Sequence, residues 1–134
     1  MEFTKKQISR YSRQIVLKKV GVIGQKKLFK SNILIIGAGG LGSPIAFYLA
    51  AMGIGKIGIV DKDKVEVSNL SRQIIFSNND IGKSKSLIAI KKISKINPDI
   101  KVLSFNQKLT HKNIKKIGKN FEIIIDGSDN FRTR

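Results

Sequence analysis

The glycine pattern Gly37-x-Gly39-x-x-Gly42 stands where an apolar run, Ile33 to Ile36, gives way to residues at helical spacing. Small residues there let the backbone approach a ligand closely. The helix start just after them offers free N–H groups to an anionic oxygen, so the chemistry in view is nucleotide phosphate binding. Asp61 closes the next apolar run, Lys56 to Val60, at a position from which a carboxylate accepts hydrogen bonds from a ribose hydroxyl. A glycine turn alone would also serve as a tight turn without a ligand. Strand, turn, helix and acid in this order favour a nucleotide. The sole histidine, His111, comes after Thr110 at a predicted helix start and reads as a surface residue rather than a catalyst. No cysteine is present, so this sequence holds no disulfide, no thiolate zinc site and no thiol nucleophile.

The elements that must position these groups alternate in type. Thr4 is a candidate N-cap for an amphipathic helix carrying Gln7, Ile8, Tyr11, Ile15 and Val16, and Gly21 and Gly24 then interrupt the pattern before a short helical turn at Gln25 to Phe29. Asn32 to Ile36 reads as a strand buried on both faces. Ser43-Pro44 opens a helix that ends at Gly53. Further strands are predicted at Lys56 to Val60, Ile100 to Phe105 and Glu122 to Ile125. Between them lie a helix over Lys83 to Asn97, with Leu87, Ile90 and Ile93 predicted along one face, and a weaker helical pattern through Ile114 and Ile117. Strands alternating with helices predict an α/β fold, a Rossmann-like doubly wound and mostly parallel sheet. Ligands of such sheets bind beyond the carboxyl ends of the strands, which places the glycine turn, Asp61 and the segment Asp126 to Asn130 on one rim.

The 134 residues, 41% of them hydrophobic, suit a single globular domain. No apolar run is long enough to span a bilayer and the N-terminus lacks a signal peptide's apolar stretch, so no membrane association and a cytoplasmic location are expected. Twenty-six Lys and Arg against nine Asp and Glu give a formal charge of +17. The lysines are scattered through every segment without a recognition motif, so the charge predicts anion attraction and solubility rather than a specific nucleic-acid partner.

The segment after the second strand decides which nucleotide. Asp61-Lys62-Asp63-x-Val65-x-x-Ser68-Asn69-Leu70-Ser71-Arg72-Gln73 is not a dehydrogenase continuation. Together with Arg10-Tyr11-Ser12-Arg13-Gln14-Ile15, Gly37 to Gly42, Gly82-Lys83-x-Lys85, Ile96-Asn97-Pro98 and Asp126-Gly127-x-Asp129-Asn130, it resembles the ThiF/MoeB/HesA family of enzymes that activate ubiquitin-like proteins. These motifs occur in family order and cover essentially the whole chain.

The resemblance implies ATP rather than NAD, with Mg2+, and an adenylyltransferase reaction in which the terminal glycine carboxylate of a ubiquitin-like protein attacks the α-phosphate. An acyl-adenylate forms and pyrophosphate leaves. The implied partner is a small ubiquitin-like sulfur carrier of molybdopterin or thiamine synthesis. Carried over by position, Gly40 lies against the nucleotide beside Gly37, Gly39 and Gly42 of the fingerprint, Asp61 holds the ribose, and Asn69, Arg72 and Lys85 contact the phosphates. Asp129, with Asn130 beside it, supports magnesium or the reacting phosphate. Arg13 would reach the ATP site of a neighbouring subunit, which makes a homodimer the expected complete form. Members of the family continue well beyond the point matching Arg134, so residues 1–134 are expected to form one incomplete nucleotide-binding domain with an N-terminal helical segment over residues 1–31. The sheet is expected to stop after about four strands, with Glu122 to Ile125 at an apolar edge. Two rival readings stand beside the enzyme: a non-catalytic ATP-binding remnant or partner subunit of a split enzyme, and an NAD-dependent oxidoreductase, which gives no reason for the Ser68 to Gln73 motif.

Overall fold

The computed structural model describes residues 1–134. Four strands, β1 (Asn32–Ile36), β2 (Lys56–Val60), β3 (Lys101–Phe105) and β4 (Ile123–Asp126), form one parallel sheet in the order β3-β2-β1-β4. Each of the crossovers after β1, β2 and β3 contains a helix, respectively α4 (Gly42–Met52), α5 (Lys85–Ile96) and α6 (Ile114–Gly118), as parallel pairing requires. The uninterrupted apolar character of β1 has a direct physical reason. Ile33 and Ile35 pack with Ile57, Ile59, Ala46, Ala50, Ala89 and Ile93 on the face covered by α4 and α5, while Leu34 packs with Val60 and Ile117 on the other. β4 lies beside β1 at the edge of the sheet, and its Ile123 and Ile124 are each 48% exposed. No helix is long and apolar enough to cross a membrane.

Three details depart from the sequence reading. The N-terminal helix is not continuous. α1 (Lys5–Arg10) starts at the Thr4 cap, and the chain turns at Tyr11 before α2 (Ser12–Ile15). Tyr11 is fully buried, packs its ring against Phe3 and Phe29, and accepts a hydrogen bond of 2.8 Å from the Asn97 amide. An anchor 86 residues away in sequence thus overrides local periodicity. Gly21 and Gly24 do not interrupt helix but lie within α3 (Gly21–Lys30), whose Gln25 is buried and donates to the Met52 carbonyl at 2.8 Å. On α5 the buried residues are Lys85, Ser86, Ile88, Ala89 and Ile93, with Ile90 partly buried; Leu87 is exposed. The stripe is turned because Lys85 and Ser86 face inward at the first turn, Ser86 accepting a hydrogen bond from the Ser104 hydroxyl of β3 at 2.8 Å.

Candidate functional site

β2 and β3 lie on one side of β1 and β4 on the other, so the strand order reverses beside β1, and such a switch point opens a crevice beyond the strand ends. A cavity of about 1000 Å³ occupies it. The glycine turn forms its floor. A Cβ on Gly42 would stand 1.8 Å from the Gly37 carbonyl oxygen, so only glycine lets α4 start this close to the end of β1. Gly39 and Gly40 differ: a Cβ there would meet nothing nearer than the Gln73 amide at 3.7 Å and the Arg72 side chain at 3.8 Å. The N–H groups of Gly39, Gly40 and Leu41 donate to no acceptor in the protein. Free donors at a helix start, on glycines that leave room for a ligand, are a cradle for anionic oxygen.

Asp61 is tied to this turn. Its Oδ2 accepts the Ala38 N–H at 2.9 Å and its Oδ1 accepts the Asp63 N–H at 2.8 Å. The carboxylate therefore clamps the glycine turn to the end of β2 and retains lone pairs for a hydroxyl from the cleft. Only its place after the strand was legible in sequence; the clamp required the fold.

The loop from Val65 to Phe76 brings the cations in. Val65, Leu70, Ile75 and Phe76 sink into the main core and hold the loop against the sheet. At its turn, Asn69 is 8% exposed and uses its Oδ1 to accept the Glu66 N–H at 2.8 Å, while its carbonyl accepts the N–H groups of Arg72 and Gln73. Asn69 thus shapes the loop and does not line the cleft. Arg72 does, with its guanidinium donating to the Ser68 carbonyl at 3.0 Å. Antiparallel pairing of Lys64 with Ser84 places Lys85 at the first position of α5, facing the same cavity.

Lys85 is 7% exposed. The two ion pairs of the chain, Lys92 with Asp80 at 3.1 Å and Arg134 with Asp126 at 3.6 Å, leave both Lys85 and Arg72 without a carboxylate. Around the cavity, six cationic side chains (Lys62, Arg72, Lys85, Lys108, Arg132 and Arg134) face three carboxylates (Asp61, Asp63 and Asp129). The Lys85 stem is buried while its ammonium opens on the cavity without a carboxylate, and the excess of cations over carboxylates favours an anionic ligand.

The remaining wall continues from β4. Asp126 accepts from the hydroxyl and N–H of Ser128, and these bonds, opposed by burial and reinforced by Arg134, hold its carboxyl below the ordinary value. Asp129 and Asn130 are exposed at the cleft, the Asn130 amide 3.5 Å from Asp129 Oδ1. Arg13 lies exposed on α2 and is not among the residues lining the cavity. His111 is exposed. The structure therefore brings together Gly37, Gly39, Gly40, Asp61, Arg72, Lys85, Asp129 and Asn130, with Gly42 beneath them, and leaves Asn69 and Arg13 outside. Sequence reasoning gave no role to Gln73 or Lys108, which also line the cavity. Gln73 closes the motif that begins at Ser68, a signal that could have singled it out; nothing in the sequence distinguished Lys108 from its fellow lysines.

Known proteins resemble the chain over nearly its whole length. The sulfur carrier protein adenylyltransferase of Thermus thermophilus is 42% identical over 134 residues, covering 100% of this chain and 49% of that protein. The probable molybdopterin-synthase adenylyltransferase of Porphyra purpurea is 51% identical over 132 residues, covering 98% of this chain and 35% of that one. The chain thus spans half or less of the length of these curated relatives. Among solved structures, the E. coli tRNA N6-threonylcarbamoyladenosine dehydratase TcdA in complex with ATP superposes with a TM-score of 0.92 at 28% identity, over 99% of this chain and 54% of that one. The sequence profile of the ThiF family matches residues 11–134, from the Tyr11 anchor through the whole cleft, and the chain belongs to that family.

Proposed function

We propose that this chain provides the nucleotide-binding part of an ATP-dependent adenylyltransferase that activates the C-terminal glycine of a ubiquitin-like sulfur carrier. The observation that carries the reading is Lys85, its stem buried and its ammonium free of any carboxylate, lining with Arg72 the same cavity as the glycine turn and its open N–H groups. The relatives named for adenylylation of sulfur carrier protein or for molybdopterin synthase, and the neighbour solved with ATP, support it.

The reaction joins a carboxylate to a polyanion, so it needs fixed positive charge where negative charge develops. The backbone of Gly37 to Gly42 receives the phosphates, and Asp61, already holding the turn, offers its remaining lone pairs to the ribose. Arg72 and Lys85 neutralise the phosphate oxygens and the departing pyrophosphate. Asn69 acts from behind, setting the loop on which Arg72 rides. Magnesium is commonly held by one or two carboxylates plus substrate phosphates, and the exposed Asp129 with Asn130 beside it fits that need without a protein cage. The ion would supply further charge neutralisation at the phosphates. Arg13, outside the cleft of its own chain, is assigned to the cleft of a second copy, so the working form is a homodimer.

ATP–pyrophosphate exchange in the presence of a ubiquitin-like sulfur carrier tests this. Exchange should depend on the carrier and fall about a hundredfold in Arg72→Ala, as loss of a charge-assisted contact made to the reacting phosphates predicts. The rival reading is a non-catalytic ATP-binding module or subunit of a split enzyme, with the same cleft but no adenylation. ATP binding with no exchange, even with the carrier present, would decide for that module.

A further inference from the structure

Gln73 is 5% exposed, yet its side-chain amide has no partner. Its backbone is fully used by the loop, the N–H bonding to the Asn69 carbonyl at 2.8 Å and the carbonyl accepting from Phe76 N–H at 3.1 Å. The amide is not. Oε1 is buried without a donor, whereas Nε2, which bonds to no acceptor in the protein, stays open on the cavity side. That nitrogen lies 3.7 Å from where a Cβ on Gly39 would stand, over the turn whose own N–H groups are free, and Gln73 lines the cavity. Its sequence neighbours Ile75 and Phe76 are core residues, an environment that a methionine would satisfy at lower cost than an unpaired amide.

We infer that Gln73 is a ligand-positioning residue of the cleft, whose Nε2 donates a neutral hydrogen bond to a phosphate oxygen seated over Gly39 and Gly40. The inference rests on the reading that the cleft takes ATP. Its chemistry differs from that of the neighbouring cations. Arg72 and Lys85 attract the phosphates through charge, a long-range and salt-screened force. A neutral donor adds little attraction at a distance but is directional, so Gln73 fixes where one oxygen sits relative to the glycine turn. The turn's free N–H groups and the Gln73 amide would then meet on the same oxygen.

Titration of the 134-residue chain with ATP, alongside the unfolding midpoint of the ligand-free protein, tests this with two variants. Gln73→Met keeps the volume and removes the donor; ATP binding should weaken about tenfold, the scale of one hydrogen bond to a charged group. Its ligand-free midpoint should hold or rise, because an unpaired buried amide has been removed. Gln73→Glu keeps the shape and sets a carboxylate against the phosphates, and should weaken ATP about a hundredfold. A contribution limited to packing would lower the midpoint and leave affinity per folded molecule unchanged. Wild-type affinity in either folded variant overturns the inference while leaving the ATP reading intact. A wild-type chain that does not bind ATP overturns both.

Discussion

The two walls of the cleft are built differently. On the β2 side, Asp61, Arg72, Gln73 and Lys85 sit on segments pinned to the main core through Val65, Leu70, Ile75 and Phe76. On the β4 side, Asp126 to Arg134 is held mainly by its own short-range bonds: Ser128 to Asp126, Thr133 to Asn130, and Arg134 to the Ser128 carbonyl at 3.2 Å. Core-anchored groups keep their geometry whether or not a ligand is present, whereas groups held by exposed local bonds can adjust to one. The contrast separates duties. On the proposed function, the first wall is preorganised for the fixed part of the substrate, and the second carries the residues proposed for metal and reacting phosphate.

The largest effect that would break this comparison lies where the walls meet. Gly42→Ala puts a methyl group into the Gly37 carbonyl, and the helix, the turn and Gly127 behind it must all shift. We expect a loss of about 4 kcal/mol or more in denaturant unfolding, or no folded protein, as for other severe backbone clashes. A Gly42→Ala chain of wild-type stability would mean that the turn is not close-packed against α4.

Lys85→Met separates binding from stability on the rigid wall. ATP affinity should fall about a hundredfold, the worth of a charge-assisted contact in a cleft, while the unfolding free energy of the ligand-free chain holds or rises. Calorimetric titration and urea unfolding of one sample give both values. Parallel losses in the two would show that Lys85 is structural instead.

The smallest effect distinguishes the walls by pH. Burial would raise the Asp80 carboxyl, but the N–H and hydroxyl of Ser77 and the Lys92 ammonium outweigh it and hold the group below its ordinary value of 3.8. Asp126 is lowered by its own set of partners. Both folded values are depressed, so each contributes stability that is present above the unfolded value and is lost as pH falls through the folded one. Stability should therefore decline below about pH 4. Lys92→Met should remove part of the Asp80 contribution in low and high salt alike, because that carboxylate is buried. Replacing Arg134 should matter less and vanish in salt, because its pair with Asp126 is exposed. Equal salt sensitivity in the two variants would remove the distinction.

Much of the framework was legible. A continuous apolar β1, three glycines at fixed spacing and a helix start specify strand, turn and helix, because each is a local consequence of burial on both faces, close backbone approach and freed N–H groups. The ends of β2 and β4 could be placed on the same rim for a topological reason, since parallel strands carry their carboxyl ends to one side. Ser68 to Gln73 and Lys85 were legible as motifs, though not as geometry.

Sequence by itself thus determined the α/β class and the position of the cleft, because these arise from local periodicity and chain direction, while Arg72, Lys85, Asp129 and Asn130 were singled out only by the family resemblance of their motifs. Only the tertiary structure decided that Tyr11 turns inward to meet Asn97 and that Leu87 faces out while Lys85 faces in. It also decided that Asn69 serves the loop while Gln73 turns its unpaired amide to the glycine turn. Those choices depend on packing and hydrogen bonds between segments distant in sequence, and local spacing carries no record of which long-range partner a side chain will find.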